Sequence, residues 1–190
     1  MSSSHTQTGK HFVNTITGQE YLILQDATTT EGVFLEMESV FAPHSVPPPV
    51  HYHPVQREDF TVLQGELTVI LRGKKMVLRQ GDSLHIPAGA IHGMWNASPH
   101  ITRVHWLVQP ALNTAALLET FTALANQGRT DGLGKPSLLQ AATTLQYFTK
   151  VFRLVQPPRW MQQLLFPVLA LIGRMIGLRP VHREPAEQRH

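Results

Sequence analysis

A chain of 190 residues that is 42% hydrophobic and 15% charged can fill one substantial core, which excludes wholesale disorder. It has eleven histidines and no cysteine, so disulfides, thiolate nucleophiles and cysteine-ligated metal sites are excluded together. Residues 1–149 carry nine Lys/Arg and eleven Asp/Glu, a net −2, whereas residues 150–190 carry seven and two, a net +5. The basic character therefore belongs to the C-terminal end rather than to a nucleic-acid-binding face.

The opening MSSSHTQTGKHFVNT is polar and lacks the apolar stretch of a secretion signal. Residues 1–20 read as a flexible lead, and a cytoplasmic protein is the expectation. From Tyr21 onward, short β-branched and aliphatic runs alternate with turn residues. YLIL (21–24) is followed by VFLEMESVF (33–41), in which Val33, Leu35, Met37 and Ser39 share one face. Pro43 and the triple proline 47–49 form a loop that cannot be helix or central strand. FTVLQ (60–64), ELTVILR (66–72), MVLRQ (76–80), SLHIP (83–87) and ITRVHWLV (101–108) come next, punctuated by glycine and proline. Seven or more short strands with no intervening helix predict a mainly β fold over 21–110, an antiparallel β-barrel or double-sheet jelly roll.

Beyond Pro110 the period becomes helical, so residues 111–190 read as a C-terminal helical extension. Leu117, Leu118, Phe121 and Leu124 share a face in 114–126, with Asn113 as N-cap and Gly128 past the end. A second helix is expected from Ser137, with Leu138, Ala142, Leu145, Phe148, Val151 and Phe152 on its apolar side. A third segment, 159–178, is the most hydrophobic, but its uninterrupted apolar run is only Leu164–Gly173, short of the ~20 residues a membrane span needs. Packing over the barrel or across a dimer interface is the expectation for it, in preference to contact of 159–179 with a membrane surface.

Two boxes carry the chemistry. His51 and His53, two residues apart on an extended segment, point the same way, and Glu58 at the next strand can reach the same point. His92 follows a Gly/Pro turn at Pro87 and Gly89. Three neutral imidazoles and one carboxylate suit a single divalent transition metal ion such as Fe, Mn, Ni, Co or Zn. His105 and Asn96 are candidates for substrate contact. For both the commoner explanation is structural: an outward-facing histidine, and an asparagine that shapes its loop. His85 is expected to face away, and His44 and His100 to lie on the surface.

These residues resemble the paired sequence boxes of the cupin superfamily. His51, His53, Glu58 and Gly65 fit the first, and Gly81, Pro87, Gly89, His92 and Asn96 the second. The fifteen residues between Gly65 and Gly81 resemble the linker of single-domain bacterial cupins, and Ser45 stands where the family usually has a glycine. The resemblance implies a barrel holding a metal on His51, His53, Glu58 and His92, and a homodimer. It does not choose a reaction, since cupins include dioxygenases, isomerases, decarboxylases, storage proteins and sugar sensors.

About two open cis positions and a net +1 from metal and Glu58 favour a small anionic oxygenated ligand such as an enolate, catecholate or keto acid. A dioxygenase-like enzyme is the first expectation. A non-catalytic ligand-binding or sensing barrel is the second. A Lewis-acid isomerase or epimerase, with His105 as its only nameable acid–base partner, is the third. No nucleic-acid partner is expected.

Overall fold

The computed structural model describes residues 9–183. Ten strands come first: β1 His11–Val13, β2 Glu20–Gln25, β3 Leu35–Phe41, β4 His51–Tyr52, β5 Arg57–Gln64, β6 Glu66–Leu71, β7 Lys74–Arg79, β8 Ser83–Ile86, β9 His92–Trp95 and β10 Thr102–Gln109. Helices α1 Thr114–Asn126 and α2 Leu138–Tyr147 follow, then a short strand β11 Arg153–Leu154 and helix α3 Arg159–Met175. All strand pairs are antiparallel, in two sheets ordered β1-β2-β3-β10-β5-β8 and β11-β4-β9-β6-β7. This is the mainly β jelly roll expected, with helices appended.

The alternation in sequence becomes alternation in burial. Leu35, Met37, Ser39 and Phe41 of β3 and Thr102, Val104, Trp106 and Val108 of β10 point inward. They meet Phe60, Val62, Leu67 and Val69 between the sheets. Removal of this apolar area from water is the main favourable term in the barrel's stability. Gly65 turns β5 into β6 with φ +79°, and a Cβ there would lie 2.6 Å from the Ile101 carbonyl oxygen. Another residue would be both strained and blocked.

The N-terminal lead departs from expectation. Residues 1–8 lie outside the described region, but His11–Val13 pairs with β2. Lys10 forms an ion pair with Glu119 of α1, and the Asn126 side chain donates to the Val13 carbonyl at 2.9 Å. Three residues are too few for a period of two to be read, which is why the segment looked loose.

The extension is also organised differently. The Asn113 side chain makes no capping bond at α1, whereas Ser137 Oγ caps α2 by accepting from the Gln140 amide. Helix α2 ends at Tyr147, so Phe148, Val151 and Phe152 are not on its face, and Leu138 is exposed. The chain instead runs back to the barrel: Phe148 and Val151 pack with Leu117, and β11 adds to β4 with Leu154 opposite His51. A barrel boundary at residue 110 therefore splits a sheet whose edge strand comes from the extension. Helix α3 packs on α2 through Phe166, Ala170 and Gly173. Among the described residues, no helix is long and apolar enough to cross a membrane.

Candidate metal centre

Strand pairing assembles the site. His51 on β4 and His92 on β9 are direct cross-strand partners. His53 lies just past β4, and its carbonyl accepts a 2.8 Å bond from the Gly89 amide, which ties the first histidine box to the second. Glu58 comes from the opposite sheet, on β5 between β10 and β8, and is fully buried. Both sheets thus contribute to one point inside the barrel.

The nitrogen ligand atoms of His51, His53 and His92 lie within 4.8 Å of one another. Each imidazole is oriented from behind. Nδ1 of His51 bonds the Pro49 carbonyl and Nδ1 of His92 the Ala90 carbonyl, both at 2.9 Å; Nδ1 of His53 bonds the Val151 carbonyl. A carbonyl oxygen only accepts, so each Nδ1 carries a proton and each Nε2 is the ring atom left to face the site. Such an outer carbonyl is the usual means of fixing the tautomer of a metal-binding histidine.

Glu58 completes the set. Its Oε2 lies 2.9 Å from His92 Nε2, and its Oε1 lies 3.3 Å from His53 Nε2. Neither pair is aligned as a hydrogen bond, and His53 Nε2, His92 Nε2 and Glu58 Oε2 have no hydrogen-bond partner although all are buried. Unmatched buried polar atoms are expensive, and three that face one another form a donor set that could hold a metal ion. The residues present fit a first-row divalent metal. Trp106 Nε1 donates to Glu58 Oε1 at 3.2 Å and orients the carboxylate.

The electrostatics agree. Burial would raise the Glu58 pKa, but His53, His92 and His51 outweigh it and hold the carboxyl below its ordinary value. Burial, reinforced by His92 and His53, lowers His51 to about 3. For His92 burial acts downward, yet the adjacent Glu58 carboxylate prevails and its pKa is raised.

The other sequence candidates lie elsewhere. His105 alternates with the inward residues of β10, and its Nε2 meets Glu36 Oε1 at 2.8 Å on the outer face, so it does not line the cavity. Asn96 is buried, but its amide donates to the Phe41, Ala42 and His100 carbonyls and its Oδ1 accepts from Ser98. It shapes the loop and has no bond to the three imidazoles. Ser45, in the glycine position, exchanges backbone bonds with Asn96 through its own amide and Oγ. His85 faces out and bonds Asp59.

Sequence reasoning missed Val151 and Phe152. The Phe152 ring stacks on His51 at 4.4 Å and 24° and meets His53 edge-on at 6.1 Å. Both residues were placed on a helix because Phe148, Val151 and Phe152 match its spacing. No local signal marks the two-residue strand that follows.

Comparison with known proteins agrees with this architecture. Residues 37–108 match the cupin domain family. Together with the two-sheet jelly roll and the three-histidine cluster, this defines the chain as one that carries a cupin-superfamily domain. It is 34% identical over 62 residues to quercetin 2,3-dioxygenase of Bacillus subtilis (strain 168), covering 33% of this chain and 18% of that one. It is 39% identical over 84 residues to germin-like protein 8-2 of Oryza sativa subsp. japonica, covering 40% and 34% respectively. The chain spans 18–40% of the length of the curated relatives it matches. Among solved structures it is similar to an RmlC-like cupin from Shewanella frigidimarina, with TM-score 0.48, 20% identity and coverage of 59% and 93%. A predicted oxalate decarboxylase from Thermotoga maritima has TM-score 0.48, 19% identity and coverage of 58% and 98%.

Proposed function

We propose that this protein binds one divalent transition metal ion on His51, His53, His92 and Glu58 and acts on a small oxygenated organic anion as a dioxygenase-like enzyme. The observation that carries the reading is the convergence of three Nε2 atoms and one carboxylate, each buried and supported from behind. A metal bound there would supply positive charge and open positions for an enolate, catecholate or keto-acid oxygen. The chain's own residues do the rest. The Pro49, Ala90 and Val151 carbonyls hold the imidazoles, and Trp106 holds Glu58. Phe152 limits water at His51. Glu58, buried beside the imidazoles with its carboxyl held below its ordinary value, is the carboxylate placed to take a proton from a bound ligand. The local similarity to a quercetin dioxygenase supports the oxygenase reading.

A binding-only barrel is the second reading, favoured by Phe152 lying against two of the three imidazoles. The isomerase reading has lost its one acid–base candidate, since His105 faces outward. Oxygen consumption by metal-loaded protein with catechols, diketones and keto acids tests the proposal. Substrate-dependent uptake, absent in Glu58→Ala, is the expected result. Saturable thermal stabilisation by these compounds without turnover would favour the binding-only barrel.

A further inference from the structure

Helix α3 has its polarity on the wrong side for a helix that ends at solvent. Phe166, Ala170 and Gly173 turn toward α2 and are buried, and buried Gln162 donates to the Leu154 and Pro157 carbonyls. On the opposite side, at intervals of three and four residues, stand Trp160 (63% exposed), Leu164 (66%), Val168, Leu171 (60%) and Met175 (78%). A surface helix ordinarily presents charge there, and a continuous apolar strip of this kind marks an interaction site. The packing expected from the sequence accounts for one face of α3 and leaves the other uncovered.

Charge says what covers it. From residue 132 to residue 183 the chain has seven lysines and arginines and no aspartate or glutamate. Arg174, one residue before Met175, borders the strip, and Arg159 directly precedes Trp160 at the start of the helix; both are exposed. A second copy docked face to face through α3 would offer these arginines no carboxylate from its own α3. The segments outside the described residues, MSSSHTQT and EPAEQRH, offer no apolar run. An anionic lipid surface meets both requirements, taking apolar side chains below the headgroups and arginines among them, with Trp160 at the boundary. At seventeen residues the helix is about 25 Å long, so it lies along such a surface rather than crossing it.

We infer that α3 docks this protein flat on anionic membrane surfaces, through the Trp160–Met175 strip and the arginines at its two ends. The inference stands independently of the metal centre.

The test is co-sedimentation of the full chain with vesicles of phosphatidylcholine alone or mixed with phosphatidylglycerol, with sedimentation equilibrium alongside. Binding to the mixed vesicles, weakened by salt and at least about tenfold weaker in Leu164→Glu/Leu171→Glu, is expected. Arg159→Gln and Arg174→Gln should each weaken it about fivefold. Both leucines are exposed, so the double variant should keep the parent melting temperature, which separates lost docking from lost folding. No binding to anionic vesicles, equal binding by the double variant, or a wild-type dimer that the double variant converts to monomer would overturn the inference. The last outcome would assign the face to a second copy.

Discussion

The backbone carbonyl of Val151 accepts a hydrogen bond from Nδ1 of His53, 98 residues earlier in the chain. The C-terminal extension is thereby part of the candidate metal centre. It supplies the group that fixes one histidine's tautomer, and its next residue, Phe152, supplies the ring that covers another. Strand β11 holds both in place by pairing with β4.

Phe152→Ala should open the centre without removing a ligand. Metal stoichiometry is expected to stay at the wild-type value, while chelator removes the metal about tenfold or more faster. Stopped-flow with a chromogenic chelator measures this directly. An unchanged release rate would show that the ring does not control access.

Cutting the chain after residue 110 removes more than a cover. Gln56, buried in the barrel, donates to the Ala111 carbonyl and to Thr114 Oγ1 at 2.7 Å, and His53 loses its partner. The truncated chain is expected to aggregate, or to bind metal at least ~10–100-fold more weakly. A soluble barrel with full metal affinity would contradict the role given to the extension.

Trp106→Phe keeps most of the ring volume and removes the Nε1–H that bonds Glu58. Metal affinity should fall about 10–100-fold, as expected for a group that orients a ligand. Competition with a fluorescent metal indicator reports the change, and near-equal affinities would mean that Glu58 is oriented by other means.

The metal-free protein should lose stability in acid. His51 stays neutral when folded, with its pKa lowered to about 3, whereas the unfolded chain takes up that proton below about 6.5. The unfolded state then binds more protons, so stability falls as pH drops from ~6.5 toward 3, by at most ~1.4 kcal/mol per pH unit. His92 works the other way. Its raised pKa gives stability that is present below ~6.5 and lost as pH rises through the raised value. Melting temperatures across about pH 4–7 should decline on the acid side and flatten in His51→Gln. A flat wild-type profile would contradict the assignment.

Much of this could be read from the residues. Period-two burial follows directly from the alternation of Met37 with Glu36 and Glu38 in β3 and of Val104 with Arg103 and His105 in β10. The convergence of His51, His53 and His92 follows from their spacing and from the turn at Gly89. What could not be read depends on distant partners. β1 and β11 are too short to show a period, and Val151 acts through a backbone carbonyl that any residue would carry. Of the two readings open for His105, strand phase selects the outward-facing one that the sequence favoured: Val104 and Trp106 take the inner face and leave it the outer one.

The central claim is the metal centre, and elemental analysis of untagged protein purified without chelator, beside His92→Ala, tests it most directly. About one divalent transition metal ion per chain, lost in the variant, is the result this account predicts. No metal in either protein, even after reconstitution, would contradict it.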